Sequence, residues 1–472
     1  MLTQDQAQSI FEKLRRYSSA DELELLISGG RSALTRFANN TIHQNVAEES
    51  NHISVRVSFG AGSAAGGRTA RASTNKHDEE GLRRAVESAE ALAKVERPEP
   101  DMLPMPSSSE VAAAATDTGK RLPRYFEATA RLSATDRAAT VSQIVAVAQK
   151  RKLMAAGVYA NSEFVEGIFN SKGVADWYEQ TLAEVSITML DTTSSGWQKA
   201  NAPDVTQLEP ARLAEIAAQK AVSSADPREL APGKYTVILE PAAVLDIVGF
   251  MFWDFSGSAL LEQRSFLNDR MGTCLFGENI TVWDDVYHPL QAGVPFDGEG
   301  MPRQRIMLID RGTVQRIVYA RSSAHRMETS SLREKAGPRS ATGHGFSLPN
   351  EMGEAPINIV FAQSPGSEAQ TVEHTVAQTE RAILVTRLWY IREVDPYEKI
   401  VTGMTRDGTF LVEDGRVKCG IRNFRFNQSL VEMLQKVEAM SEPVRSSGEE
   451  SFDMVVPAMK IRDFNFTETT RF

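Results

Sequence analysis

The sequence is poor in the residues that build disulfide frameworks, membrane spans and basic nucleic-acid surfaces. Two cysteines occur in 472 residues, Cys274 and Cys419. They are too few and too far apart for a disulfide framework, and reduced thiols in a cytosolic compartment are the expectation. No apolar run approaches the ~18–20 residues that cross a bilayer. The opening residues Met1-Leu2-Thr3-Gln4-Asp5 lack the basic-then-apolar order of a secretory signal, so a cytoplasmic location without membrane association is expected. Against 62 acidic residues stand 52 basic ones, a net charge of −10, which argues against a nucleic-acid-binding surface as the main function. Phosphate-cradling glycine loops and nucleophile elbows are also missing.

Histidine is scarce and badly spaced for metal chemistry. The seven lie at 43, 52, 77, 288, 325, 344 and 374, never at the i, i+4 or i, i+5 intervals that put two imidazoles on one helical face. A zinc hydrolase needs three ligands at ~2.0–2.3 Å and one position left open for water. No local run of this sequence supplies them, and no metal is expected in this chain.

Length allows two or three domains with sizeable cores. Residues 1–95 and 133–226 read as two copies of one unit offset by 132 positions: Phe37 falls on Phe169, Ile42 on Val174, and Ser54-Val55-Arg56-Val57 on Ser186-Ile187-Thr188-Met189. Amphipathic segments pair as well, 6–16 with 137–149 and 81–94 with 211–225. Each copy reads helix, strands, helix. Within 52–59 the alternation puts Ile53, Val55, Val57 and Phe59 on one face. The connection 96–132, with Pro98, Pro100, Pro104 and Pro106 and a Ser/Ala-rich run, is expected to be exposed.

The texture changes near Asp226-Pro227, giving an N-terminal α/β domain at 1–226 and a β-rich domain at 227–472. Strands are expected at 235–239, 305–309, 314–320, 357–361, 383–391, 410–413 and 454–461. Asp310-Arg311-Gly312 and Asp414-Gly415 read as hairpin turns. Helices are expected at 241–255, around 367–374 and at 429–440. The fold class is therefore α+β, a duplicated helix-strands-helix domain followed by a mostly antiparallel β domain.

Four ordered signatures give a more specific reading. They are the run from Ser32-Ala33-Leu34 to His43-Gln44-Asn45, then Trp283-Asp284-Asp285, then Phe296-Asp297-Gly298-Glu299-Gly300, and last Thr402-Gly403-Met404-Thr405-Arg406-Asp407-Gly408-Thr409-Phe410 closed by Glu413-Asp414-Gly415. In this order and spacing the chain resembles the TldD/PmbA family of cytoplasmic metalloproteases, also described as modulators of DNA gyrase. TldD-type members carry HExxxH on a helix, with a cysteine ligand near the C-terminus. PmbA-type members, also called TldE, lack both, and this sequence resembles them. Its corresponding helix reads Ala243-Val244-Leu245-Asp246-Ile247-Val248-Gly249-Phe250-Met251-Phe252-Trp253. The resemblance puts Val248 and Trp253 at the histidine positions and Gly249 at that of the glutamate, and no cysteine occurs within 441–460.

Each candidate residue carries a plain alternative. Thr342-Gly343-His344-Gly345 brackets a histidine with two glycines, which permit close backbone approach. In the family this place lies near the active cleft, making His344 a candidate substrate or interface contact, or else a solvated loop histidine. Arg406 and Asp407 support the cleft or serve a structural turn. Phe296-Asp297-Gly298-Glu299-Gly300 lacks the alternating ligands of a calcium loop and reads as a tight turn with solvated carboxylates. The cluster Phe250, Met251, Phe252, Trp253 and Phe255 packs a core or a subunit interface.

The resemblance implies a metal-free subunit of a heterodimeric peptidase. A TldD-like partner supplies zinc, and unfolded or modified peptides enter a shared cleft as an added strand. The alternatives are a homodimeric, non-catalytic peptide-binding or scaffolding protein, and a hydrolase with an unconventional site.

Overall fold

The alternation read at 52–59 organises the first sheet. In the computed structural model, which describes residues 1–115, 118–334, 340–362 and 371–470, Ile53, Val55 and Val57 are fully buried and share a core with two helices. The order is α1 (Gln4–Tyr17), β1 (Glu22–Ala38), β2 (Thr41–Phe59), β3 (Arg68–Thr74) and α2 (Glu79–Val95). Two short helices follow, α3 (Ser108–Ala114) and α4 (Glu127–Ala130). The first order then returns as α5 (Ala134–Lys150), β4 (Met154–Asn170), β5 (Ala175–Leu190), β6 (Ser195–Ala202) and α6 (Pro210–Ser223). Equivalent helices start in equivalent ways: Thr3 and Gln6 close a capping box on α1, as Ser133 and Asp136 do on α5.

The six strands form one antiparallel sheet in the order β3-β2-β1-β4-β5-β6, so the two copies join along β1 and β4. Their repeated phenylalanines exchange cores across that seam. Phe37 from the first copy packs with α5 and α6, whereas Phe169 from the second packs with α1 and α2 and stacks on Phe11 at 6.0 Å. Burying an aromatic ring in the other copy's core makes each half depend on its neighbour. The opposite face of the sheet is polar yet also buried: Glu24, Ser54, Arg56 and Ser58 lie there with little exposure.

The remainder runs β7 (Gly233–Leu239), α7 (Pro241–Phe252), α8 (Gly257–Leu261), β8 (Val282–Asp284), β9 (Ile306–Asp310), β10 (Thr313–Val314) and α9 (Arg321–Thr329). It continues through β11 (Ile359–Phe361), α10 (Val372–Ala377), β12 (Arg381–Asp395), β13 (Ile400–Glu413), β14 (Arg416–Gly420) and β15 (Phe424–Ser429). Last come α11 (Leu430–Gln435), β16 (Val437–Met440), β17 (Val444–Ser446), β18 (Met454–Val456) and β19 (Met459–Thr469). One sheet is ordered β10-β9-β8-β11-β18-β17. In the other, β12 pairs with β7 and β13, β13 with β15, β15 with β19, and β19 with β7. These pairings close on themselves. Pairing is antiparallel except between β7 and β12 and between β11 and β18. Helix α7 contributes to the apolar core shared by both sheets. Among the described residues no helix is long and apolar enough to cross a membrane.

Both expected hairpin turns form. Arg311 and Gly312 take φ of 43° and 77°, and Asp414 and Gly415 take 52° and 72°, the two positive values of a type I′ turn. Other expectations need correction. The 429–440 helix stops at Gln435, because Val437–Met440 pairs with β19 instead. The 454–461 strand is broken at Pro457, which has no N–H for a ladder. At 314–320 only Val314 is in a strand, since Val318 turns to bridge Ser256. Strand β13 begins ten residues before the expected 410, its extra length accommodated by register shifts along its pairing with β12. Helix 241–255 ends at Phe252. Of the helix around 367–374, residues 367–370 lie outside the described residues, and α10 covers Val372–Ala377. The connection 96–132 is not a free thread: Met105, Arg124 and Thr129 are buried, Arg124 donating to the carbonyls of Val286, His288 and Pro289.

A buried ion pair ties the first sheet to β12 and β13. Asp407 accepts from Arg387 Nε at 2.8 Å and from Ser195 Oγ at 2.6 Å, and the Arg387 guanidinium lies over the Trp197 ring. Removing one member of such a pair leaves the other charge buried and uncompensated. Asp407→Ala is expected to lower unfolding stability by about 3–5 kcal/mol, read from urea unfolding; an unchanged midpoint contradicts this role.

Candidate functional site

The polar face of the first sheet and the segments that follow β8 and α9 enclose a cleft of about 1020 Å³. Strands β1 to β5 supply Ser28, His52, Ser54, Arg71, Phe164, Glu166 and Leu182 to its lining. From the opposite side come Trp253, Phe296, Arg303, His344, Phe346 and Asn358. Arg71 links the two walls, donating to Glu24 and to the Leu348 carbonyl, each at 2.6 Å. Glu24 is fully buried and also pairs with Arg56, and these two guanidinium groups hold its carboxyl below the ordinary glutamate range against the opposing effect of burial.

His344 sits in the inner wall with its ring fully held. Nε2 lies 2.8 Å from Asp284 Oδ1, and Nδ1 lies 3.0 Å from Thr342 Oγ1 and 2.8 Å from the Thr342 carbonyl. The second Asp284 oxygen accepts the Asn358 N–H at 2.9 Å. Burial lowers the His344 pKa, with Arg303 acting in the same direction and Asp284 opposing it. The Asp284 carboxyl is itself held low, His344 and Arg303 outweighing its burial. Both ring nitrogens face acceptors, the Asp284 carboxylate and the Thr342 carbonyl, while the Thr342 hydroxyl donates to the Tyr319 carbonyl. A solvated loop histidine is thus excluded.

The Phe296-Asp297-Gly298-Glu299-Gly300 signature interlocks here with the glycine-bracketed histidine segment. The Asp297 carboxylate accepts the N–H of Glu299 and Met301 through one oxygen and that of Gly345 through the other at 2.8 Å, while Gly298 N–H donates to the Gly345 carbonyl. The approach is close enough that a Cβ on Gly298 would lie 2.2 Å from the Ser347 nitrogen. Asp297 and Glu299 are buried, correcting the expectation of solvated carboxylates. Burial, then the neighbouring Glu299, pushes Asp297 up to about 7.

Helix α7 fills its environment with carbon. Val248, Met251 and Phe252 are fully buried, as is Phe255 beyond the helix end, so core packing accounts for most of the aromatic cluster. Trp253 is the exception, half-exposed in the cleft and stacked on Phe346 at 6.3 Å. A Cβ on Gly249 would lie 1.8 Å from Ser451 Oγ, leaving no space for a glutamate. Among the described residues no three His, Cys, Asp or Glu side chains converge as metal ligands. These residues do not fit a hydrolytic zinc site.

Of the six candidate residues, the structure brings Thr342, Gly343, His344 and Gly345 together at the inner wall, with His344 and Gly345 in the lining. It puts Arg406 and Asp407 elsewhere. Asp407 has a φ of 53° within β13, not in a hairpin turn, and neither residue lines the cleft. Arg303, Asn358 and Glu166 line it without having been singled out. Nothing in their local sequence marks them, because isolated polar residues converge there through distant strands and loops.

A family model described as the PmbA/TldA metallopeptidase C-terminal domain matches residues 232–468, and one described as PmbA/TldA metallopeptidase domain 1 matches residues 23–93. A metalloprotease PmbA homolog of Haemophilus influenzae is 24% identical over 402 residues, 83% of this chain and 82% of that protein. Metalloprotease PmbA of Escherichia coli O157:H7 is 22% identical over 245 residues, 50% of this chain and 54% of that one. The crystal structure of TldE from Thermococcus kodakarensis superposes with a TM-score of 0.82 at 20% identity, covering 98% of this chain and 100% of that one.

Asp246, on the buried side of α7, supplies a pH test. One oxygen accepts from the Glu449 and Glu450 amides, while the other has no hydrogen-bond partner. Burial raises its pKa to about 7. A carboxyl raised in the folded state costs stability as pH climbs from the unfolded value, near 3.8, to the folded one. Asp246→Asn keeps the accepting oxygen and removes the ionisation. Its stability advantage over the parent is expected to grow between pH 4 and 7 and level off above, reaching up to about 4 kcal/mol. A difference independent of pH, measured by urea unfolding, contradicts the assignment.

Proposed function

This chain belongs to the PmbA/TldD metallopeptidase family, and from that premise we propose that it is the metal-free subunit of a two-component peptidase. The observation that carries the reading is the packing of α7. The positions that the resemblance puts at the family's two zinc histidines and its base hold Val248 in the core, Gly249 against Ser451, and Trp253 stacked on Phe346. A TldD-like companion supplies the zinc, whose role is to lower the pKa of bound water and polarise the scissile carbonyl.

This chain's part is to hold unfolded or modified peptide. Phe164, Leu182, Trp253, Phe296 and Phe346 give the cleft apolar walls, and Ser28, Ser54 and Asn358 add polar groups among them. Mixed lining of this kind accepts varied side chains and orients main chain through few fixed groups. No reacting group is assigned to this chain.

The test is to purify it alone and with a TldD-like companion, measuring zinc content and peptide hydrolysis. The pair is expected to cleave unfolded peptide in a chelator-sensitive manner, while this chain alone contains no stoichiometric zinc and cleaves nothing. Chelator-sensitive hydrolysis by the chain alone contradicts the proposal. A stable homodimer that ignores the companion and binds peptide supports the non-catalytic binding protein instead.

A further inference from the structure

Arg303 stands in the cleft wall without the acceptors that a buried guanidinium requires, and we propose that, together with Asn358, it recognises the terminal carboxylate of the bound peptide. This deepens the peptide-holding reading above and rests on it. The Arg303 side chain lines the cleft yet the residue is only 5% exposed. Its Nε and Nη2 have no hydrogen-bond acceptor among the described residues. The ion-pair partner, Asp284 Oδ1, lies at 3.8 Å, beyond hydrogen-bond reach. That oxygen is taken by His344 and its twin by the Asn358 amide. Asp284 therefore balances the charge of Arg303 without satisfying its donors.

Asn358 has the complementary deficit. Its Nδ2 donates to the Ala292 carbonyl at 2.9 Å, which fixes the amide orientation and leaves Oδ1 buried with no donor. Unsatisfied donors and an unsatisfied acceptor are thus tethered to the same aspartate. A carboxylate next to an N–H matches both: two oxygens for the guanidinium edge, in its favoured forked geometry, and one hydrogen for the Asn358 carbonyl. A peptide's last residue carries that pair of groups.

The support is fixed in advance. The Arg303 N–H donates to the Pro295 carbonyl at 3.0 Å, and its own carbonyl accepts from the Tyr287 hydroxyl at 2.8 Å. The orphaned atoms of Arg303 and Asn358 are buried, and both residues line the cleft. The other cleft arginines are already engaged, Arg71 by Glu24 and Leu348, and Arg445 by Asn201 and Asp453. Glu166 and Asp297 also border the cleft; burial raises the Glu166 pKa with Arg303 opposing, so Glu166 faces the same guanidinium and a bound carboxylate competes with it there.

The experiment is a fluorescence-anisotropy titration of the full chain, in complex with its companion where the pair forms, the companion's zinc removed by chelator so that no peptide is cleaved. Three N-terminally labelled peptides are used: one ending in a free carboxylate, its C-terminal amide, and that amide with one internal Asn replaced by Asp. The free acid is expected to bind about tenfold more tightly than the amide. Arg303→Gln is expected to remove the difference and Arg303→Lys to retain part of it, with circular dichroism verifying the fold. Equal binding of acid and amide to the unmodified chain, as an internal water satisfying both groups predicts, overturns the carboxylate proposal alone. Equal gain from the internal Asp overturns the terminal assignment in favour of a side-chain carboxylate. Failure of all three peptides to bind overturns the peptide-holding reading and this proposal with it.

Discussion

The cleft depends on one interlock, the Asp297 carboxylate gripping the Gly345 N–H while Gly298 donates back to the Gly345 carbonyl. Two segments about fifty positions apart in sequence are thereby fixed against each other, and the closeness requires a residue without a side chain at 298. His344 lies between those contacts and the Asp284 carboxylate, so its ring cannot turn without breaking bonds at both nitrogens. A buried carboxylate bearing three amide hydrogen bonds, with a second acid beside it, is a costly arrangement. Its retention at the wall of this cleft is what a built binding surface requires of its second layer of contacts.

Much of the architecture was legible because it rests on local rules. Alternation at 52–59 gave the buried face of β2, the 132-residue offset gave the duplicated unit, and the Arg311-Gly312 and Asp414-Gly415 pairs gave the turns. Two of the misreadings come from long-range pairing overriding local pattern. Val437–Met440 has helical-looking apolar spacing but finds a ladder partner in β19, and Val318 leaves its strand for an isolated bridge to Ser256. The exchange of Phe37 and Phe169 across the seam could not be read at all, since it depends on which strands become neighbours.

The site divides in the same way. The glycine-bracketed His344 was visible because glycine beside histidine is locally unusual. Arg303 and Asn358 were not, since a guanidinium's missing acceptors exist only once β8, β11 and the loop after Gly293 have assembled. The Arg406-Asp407 pair drew notice through its motif, yet its chemistry is mechanical: it fastens β13 to the first sheet through Ser195 and Arg387. Burial also reversed the reading of Asp297 and Glu299, which look like turn carboxylates in the sequence and act as internal hydrogen-bond acceptors in the fold.

The central proposal is that α7 is committed to packing and that this chain carries no hydrolytic metal centre of its own. Titration of cobalt(II) into the purified, metal-depleted chain, followed by visible absorption, tests that directly, because cobalt in a tetrahedral nitrogen, sulfur or oxygen site of the kind zinc occupies gives intense ligand-field bands. The account predicts a weak spectrum like that of the aqueous ion at every ratio. Intense bands that saturate at one cobalt per chain and are displaced by zinc would contradict it.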